Sequence, residues 1–320
     1  MRKGRFTKDL FTVLLVTAGF AVTSCFKLES DYEKQIKLDD QIISKYLEDN
    51  NITAQRDASG FYYEPLYSVQ LHNTLNAGTE LNKNDVVNFY YTISTLQGAV
   101  IETNELPGRE PAKFKLLTQT IIPEALDYGI KMMKTGQRFR FYIPSYLAYG
   151  SYRSQFFPAN SIFKVEIYVA GVQSEFQIET EQRDSILAYA SAKYENHVMY
   201  PNGLCFIDSI PGSGNSPVNG DRVNIDFKRK YLNDSIIRSS QDVTFFLNSG
   251  SAVEGLERGL MLMNRGGEAI LLMPSSLAFR QSLCVIPEKS RTELIRDRLI
   301  TSEVKPYSIL KYVVKLKNVN

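Results

Sequence analysis

Apolar positions along this chain change period several times, and each change marks an element. Leu38 to Tyr46 carries Ile42, Ile43 and Tyr46 at helical spacing, and Asn50-Asn51 ends that pattern. After Gly60 the run FYYEPLYSVQL reads as a region of paired strands, followed by a turn at Asn82 to Asn84. Val86 to Thr92 is dense in β-branched and aromatic side chains, which predicts a strand. Residues 121–133 predict a short amphipathic helix stopped before Gly136. Arg138 to Ile143 alternates polar and apolar as a strand does, and Ser161 to Val172 predicts another.

The second half repeats this order. Asp184, Ile186 and Tyr189 echo Asp40, Ile42 and Tyr46, and Gly203-Leu204-Cys205-Phe206 echoes Gly60-Phe61-Tyr62-Tyr63. Gly220-Asp221-Arg222-Val223 opens a strand as Asn84-Asp85-Val86-Val87 does. Val253 to Leu260 matches the short helix, and Met273-Pro274-Ser275-Ser276-Leu277-Ala278-Phe279 parallels Ile143-Pro144-Ser145-Tyr146-Leu147-Ala148-Tyr149. Landmarks returning in one order identify an internal repeat. The expectation is two α+β domains in tandem, at 38–172 and 173–320, each with a leading helix. Gln173 to Gln182 reads as the linker between them.

The most specific run is Met133, Gly136, Ile143-Pro144, Ala148-Tyr149-Gly150, closed by Phe157-Pro158-Ala159-Asn160-Ser161. With the strand at Val86 to Thr92, Gln97-Gly98, Phe114-Lys115-Leu116 and Ile121-Ile122-Pro123-Glu124-Ala125-Leu126, it resembles the FKBP-type peptidyl-prolyl isomerase family. The resemblance covers roughly residues 82–172 and 217–319. It implies a strongly twisted antiparallel sheet around one short helix, with an aromatic-lined pocket between them. It also implies a chemistry that needs no nucleophile, metal or cofactor. Rotation about an X-Pro bond breaks amide resonance against a barrier of about 18–20 kcal/mol. The twisted amide is less polar than the planar one, so an apolar pocket favours it, and a hydroxyl can hold the peptide carbonyl.

Carried onto this chain, the resemblance makes Tyr149, Tyr91 and Glu102 the catalytic candidates. Tyr149 stands where the carbonyl-holding tyrosine belongs, and Ile101-Glu102 where the family has Phe-Asp. Phe114, Ile121, Ile122, Phe156, Phe157 and Phe163 join Ile101 as substrate-binding candidates, and the pocket floor falls to Ala125 or Leu126. For Tyr91 and Phe163 an ordinary core role fits as well. The second copy departs: Phe227 replaces the early tyrosine, Arg238 the acid, Phe279 the carbonyl-holding tyrosine and Arg280 the following Gly, so that turn is expected to differ. A charged insertion, Glu288 to Lys305, interrupts the loop framing the second pocket; it reads as a solvated loop or a partner-docking element with a short helix around Thr292 to Ile300. The second domain is therefore expected to lack isomerase activity.

The amino terminus adds a location. Arg2, Lys3, Arg5 and Lys8 precede an apolar run from Leu10 to Val22, too short to span a bilayer comfortably, and Val22-Thr23-Ser24-Cys25 resembles a bacterial lipobox. Residues 1–24 are thus expected to be a signal peptide, Cys25 a lipidated residue, and 25–37 a tether to the outer membrane of a bacterial envelope. Phe26 to Asp31 resembles the acidic export signals of surface lipoproteins in Bacteroidota. Removing the leader's four basic residues and Asp9 takes the formal charge from +2 to about −1, which argues against a nucleic-acid partner. His72 and His197 lie far apart without ligand spacing, so no metal is expected. Whether Cys205 and Cys284 pair stays open. Two functions fit: an isomerase acting on proline-containing clients, or a non-catalytic subunit of an envelope complex. A cleft reaching Tyr149 favours the first, and one filled by Phe156 or Phe157 the second.

Overall fold

The computed structural model describes residues 30–66 and 78–320; residues 1–29, Cys25 among them, and His72 lie outside the described residues. Helix α1 spans Asp31–Asp49, so it begins well before Leu38. The reason is local: the Ser30 hydroxyl accepts from the Glu33 N–H while the Glu33 carboxylate accepts from the Ser30 N–H, closing a capping box. Asp31 and Glu33 in the first turn also suit the positive end of the helix dipole. The buried face carries Asp39, Ile43 and Leu47, whereas Ile42 is 41% exposed.

Strands β1 (Gln55–Arg56), β2 (Tyr62–Pro65), β3 (Val86–Thr95), β4 (Val100–Thr103), β5 (Ala112–Lys115), β7 (Arg138–Ile143) and β8 (Phe163–Gln173) form the first sheet. Its order is β1-β2-β7-β8-β3-β4, with β5 also on β3, and every pairing is antiparallel. Helix α2 (Ala125–Lys131), entered through the short β6 (Ile121–Ile122), covers the inner face. No linker of the expected length follows. β8 runs to Gln173, Ser174 caps the next helix by a second capping box with Gln177, and α3 spans Glu175–Lys193.

The second sheet repeats the plan in the order β12-β11-β15-β13-β10-β9, from β9 (Val198–Met199), β10 (Cys205–Ile210), β11 (Arg222–Tyr231), β12 (Ile236–Phe246), β13 (Glu268–Met273) and β15 (Leu310–Val319). Helix α4 (Glu254–Leu260) takes the place of α2. In α3 the buried face carries Ile178, Gln182, Ile186 and Ala190, and the last three repeat the i, i+4, i+8 stripe of α1. The two stripes superpose Ile186 on Ile43, one residue away from the sequence correspondence with Ile42. Ile42 lies on the solvent side, and burial, not the nearest apolar residue, sets the register. Arg280, expected to change its turn, does not: its φ is 45° beside 53° at Gly150, and both N–H groups bond the first serine of the preceding 3₁₀ turn, Ser275 at 2.9 Å and Ser145 at 2.8 Å.

Both sheet-covering helices approach closely through a glycine. A Cβ on Gly129 meets the buried Phe141 ring at 2.7 Å, and one on Gly259 meets Leu271 at 2.3 Å. Gly129→Ala is therefore expected to lower stability by about 1–2 kcal/mol in denaturant unfolding, although Ala is the better helix former by about 1 kcal/mol. A more stable Gly129→Ala protein contradicts this packing. Cys205 and Cys284 are separate free thiols, both buried, in different clusters. Burial pushes the Cys205 thiol up to about 11 and the Cys284 thiol up to about 12. Among the described residues no helix is long and apolar enough to cross a membrane.

Candidate functional site

The first domain gathers the predicted side chains at one end of its sheet. Tyr91 points inward from β3 and is 4% exposed; its hydroxyl donates to the Glu102 carboxylate, which β4 brings alongside. Phe114, on β5, is fully buried and edge-on to Phe89 at 5.6 Å between ring centres. Phe157 and Phe163 pack edge-to-face at 5.1 Å, and the Tyr149 ring lies 4.9 Å from Phe157 and 6.0 Å from Phe163. Ile121 is buried, Ile101 and Phe156 are partly buried against the same cluster, and Ala125 and Leu126 are both buried at its floor.

Tyr149 lies in the turn after β7 and is placed from outside the sheet. The 3₁₀ turn Ser145–Leu147 that precedes it is held by Asp39 of α1, fully buried, whose Oδ2 accepts from the Ser145 N–H at 2.8 Å and hydroxyl at 2.6 Å. The Gln35 side chain donates to the other oxygen at 2.7 Å. The second domain does the same with Gln182, whose Oε1 accepts from the Ser275 N–H at 2.7 Å and hydroxyl at 2.9 Å. Sequence reasoning missed this pair, although a polar residue four positions ahead of the buried Ile43 and Ile186 in the two helices carries the signal.

Burial drives the Tyr149 phenol far above its ordinary range, and burial together with the Glu102 charge does the same for Tyr91. Both hydroxyls are consequently donors at neutral pH. Tyr149 has a specific acceptor: it donates at 2.8 Å to the carbonyl of Ile286, just ahead of the second domain's insertion.

The insertion, Glu288 to Lys305, is not a solvated loop, and it docks on the first domain together with the segment just ahead of it. In that segment, residues Cys284–Val285 form β14, which pairs in parallel with Ile121–Ile122 of β6. The Cys284 and Ile286 N–H groups donate to the Thr120 and Ile122 carbonyls at 2.8 and 2.9 Å. Cys284 and Ile286, 4% and 0% exposed, belong to the hydrophobic cluster of the first domain, and Pro287 is buried beside them. Beyond the proline, the Glu102 carboxylate accepts from the Glu288 and Lys289 N–H groups at 2.7 and 3.0 Å. The Lys289 ammonium bonds the Ile101 carbonyl at 2.5 Å and lies 4.2 Å above the centre of the Phe156 ring. Helix α5 (Arg291–Arg296) follows; Glu293 accepts from the Ser154 hydroxyl at 2.6 Å, and Asp297, just past the helix, from Tyr152 at 3.0 Å. The cleft is thus neither open to Tyr149 nor filled by Phe156 or Phe157. An X-Pro dipeptide of the same chain fills it.

The second domain differs at the equivalent positions. Arg238, opposite Arg229 on β11 as Glu102 is opposite Ile93 on β3, pairs with Glu303 at 3.0 Å. The Arg229 guanidinium, 7% exposed, also pairs with Glu303 and lies 4.8 Å from the centre of the Phe279 ring. Ion pairs and the Phe279 ring thus stand where the first domain has Ile93, Glu102 and Tyr149.

A family model described as FKBP-type peptidyl-prolyl cis-trans isomerase matches residues 78–168 and again 214–317, together more than half of the chain. Among curated proteins, the chain is 28% identical over 99 residues to the FKBP-type peptidyl-prolyl cis-trans isomerase FkpA of Aeromonas hydrophila, covering 31% of this chain and 35% of that one. It is 34% identical over 82 residues to FK506-binding protein 4 of Rhizopus delemar, covering 25% and 22%. The chain therefore spans about a third or less of the length of these relatives. Among solved structures, the three FKBP domains of wheat FKBP73 align over 84% of this chain and 99% of theirs at 14% identity and a TM-score of 0.32. A peptidyl-prolyl cis-trans isomerase of Pseudomonas syringae aligns over 47% and 99% at 19% identity and a TM-score of 0.35. With both halves matched by one family model and one sheet plan built twice, this chain belongs to the FKBP-type peptidyl-prolyl cis-trans isomerase family.

Proposed function

We propose that the first domain is a peptidyl-prolyl cis-trans isomerase acting on X-Pro bonds of polypeptide clients, and that the second domain has no isomerase activity of its own. One observation carries the reading: an X-Pro amide lies in the aromatic pocket with its carbonyl held by the Tyr149 hydroxyl. Glu102 holds two N–H groups on the far side of the proline, so the chain on either side of the rotating bond is gripped by a different group. The apolar walls from Phe157, Phe163 and Ile121 favour the less polar twisted amide over the planar one, which lowers the barrier of about 18–20 kcal/mol.

The test is the rate of isomerisation of a short Ile-Pro peptide. Catalysis above the uncatalysed rate is expected, and Tyr149→Phe should reduce kcat/KM by about tenfold, the loss of one hydrogen bond worth about 1.4 kcal/mol. Absence of catalysis by both the unaltered chain and a chain carrying Ile286→Asp sinks the isomerase reading. That outcome favours the non-catalytic reading, which the occupied pocket also supports.

Lipidation of Cys25 in a bacterial outer membrane remains part of the proposed function and rests on the lipobox-like sequence. Because α1 starts at Asp31, the stretch from Cys25 to Ser30 can reach at most about 18 Å, which would hold the first domain near the membrane surface.

A further inference from the structure

The pocket of the first domain is not empty, and what fills it comes from the second domain, more than a hundred residues downstream. We propose that residues 283–290 are a resident ligand of the prolyl site: the first domain is closed by its own chain, and a client enters by displacing this segment. The proposal rests on the reading of this pocket as an X-Pro site, and it deepens that reading by naming the client class. What the site accepts is an extended aliphatic stretch ahead of proline, as in Val285-Ile286-Pro287.

Three independent features seat the segment as a peptide ligand would be seated. Its backbone pairs with β6 as an added strand, through the Cys284 and Ile286 N–H groups. Its X-Pro carbonyl accepts from the Tyr149 hydroxyl, while the Tyr91 hydroxyl is already engaged by Glu102. Its N–H groups after the proline take both oxygens of Glu102. The aliphatic preference follows from burial: Ile286 is wholly enclosed among apolar side chains of the first domain, where a charged or amide side chain has no partner. The strand pairing, by contrast, uses main-chain atoms and asks nothing of sequence. Further out, Glu293 on Ser154 and Asp297 on Tyr152 fasten the segment without entering the pocket. Because the segment is covalently part of the chain, it competes at an effective concentration in the millimolar range. A client peptide of modest affinity therefore meets a largely closed site, and the second domain, which lacks the polar groups of a site itself, acts as the stopper of the first.

The experiment uses the full chain and three forms of it: unaltered, Ile286→Asp, and the double variant Glu293→Ala with Asp297→Ala. The first variant puts a charge where the pocket has no partner for it, and the second removes only the outer fastenings. For each, kcat/KM for an Ile-Pro peptide is measured, together with binding of a synthetic peptide of residues 282–290 carrying Ser in place of Cys284. The proposal expects Ile286→Asp to raise kcat/KM at least tenfold, and the double variant to raise it by a smaller factor. It also expects the synthetic peptide to bind the Ile286→Asp chain and compete with the substrate. In the unaltered chain, saturating synthetic peptide should speed thiol labelling of Cys284, resolved by peptide mapping, because displacement exposes that buried sulfur. Peptide binding to the opened chain without turnover by any form removes the isomerase reading and keeps the resident ligand. Equal turnover by all three forms, with Cys284 labelling indifferent to peptide, overturns the resident ligand while leaving an isomerase.

Discussion

Arg291→Ala is expected to open the inserted segment locally, with hydrogen exchange at the Cys284 and Ile286 amides accelerating by about two orders of magnitude. Arg291 is 5% exposed and is the knot of the insertion. Its guanidinium donates to the Glu288 carboxylate at 2.8 and 3.0 Å, to the Ser302 carbonyl at 2.8 Å and to the Leu283 carbonyl at 2.8 Å. Truncation leaves a carboxylate and two carbonyls without a partner in a poorly hydrated place, a loss of about 3 kcal/mol. Since each 1.36 kcal/mol is a factor of ten, the locally open state rises by about a hundredfold or more. Arg291→Lys keeps the charge but not the planar fork, so it should recover only part of the protection. Unchanged exchange in Arg291→Ala removes the claim that this side chain holds the segment in its docked shape.

The second large effect concerns the leading helix. Asp39→Ala is expected to destabilise the first domain by about 3 kcal/mol in denaturant unfolding, because the Ser145 N–H and hydroxyl and the Gln35 amide all lose their acceptor while two of them stay buried. The second domain supplies the control. There a neutral amide, Gln182, accepts both Ser275 donors and gives its own Nε2–H to the Tyr307 carbonyl at 2.6 Å. An amide oxygen thus serves the same turn, and Asp39→Asn should cost roughly 1 kcal/mol, well under the alanine variant. Equal losses for the two variants show that charge, not acceptor geometry, supports the turn. The Asp39 contact also links α1 to the site, since the turn it holds carries Tyr149.

Much of the fold was legible because it repeats. Strands announce themselves by β-branched and aromatic runs such as Val86 to Thr92, and the short helices by the amphipathic spacing at 121–133 and its echo at Val253 to Leu260. The pocket aromatics Tyr91, Phe114, Phe157 and Phe163 were legible through the family resemblance, which carries a pocket role onto each position. Less legible were contacts between elements distant in sequence. The start of α1 was misplaced because a capping box rests on polar residues that carry no apolar period. The turn at Arg280 was misjudged because one left-handed non-glycine residue costs only about 1–2 kcal/mol, which the Ser275 bond and surrounding packing offset. The insertion was misjudged because its charged residues outnumber its apolar ones, and the informative tetrapeptide, Cys284-Val285-Ile286-Pro287, lies just ahead of them.

By itself, then, the sequence determined two copies of one α+β plan, the strand and helix faces that build each core, and the loss of the polar site groups from the second copy. These depend on periodicity and residue type, which act over a few neighbouring positions. Only the tertiary structure decided what occupies the first pocket. That outcome depends on a segment at 283–290 meeting Tyr149 and Glu102 across the domain boundary, where main-chain strand pairing and burial of one isoleucine supply the affinity. Main-chain hydrogen bonds are the same for every sequence, and an isoleucine buried in a neighbouring domain looks, in one dimension, like an isoleucine buried in its own.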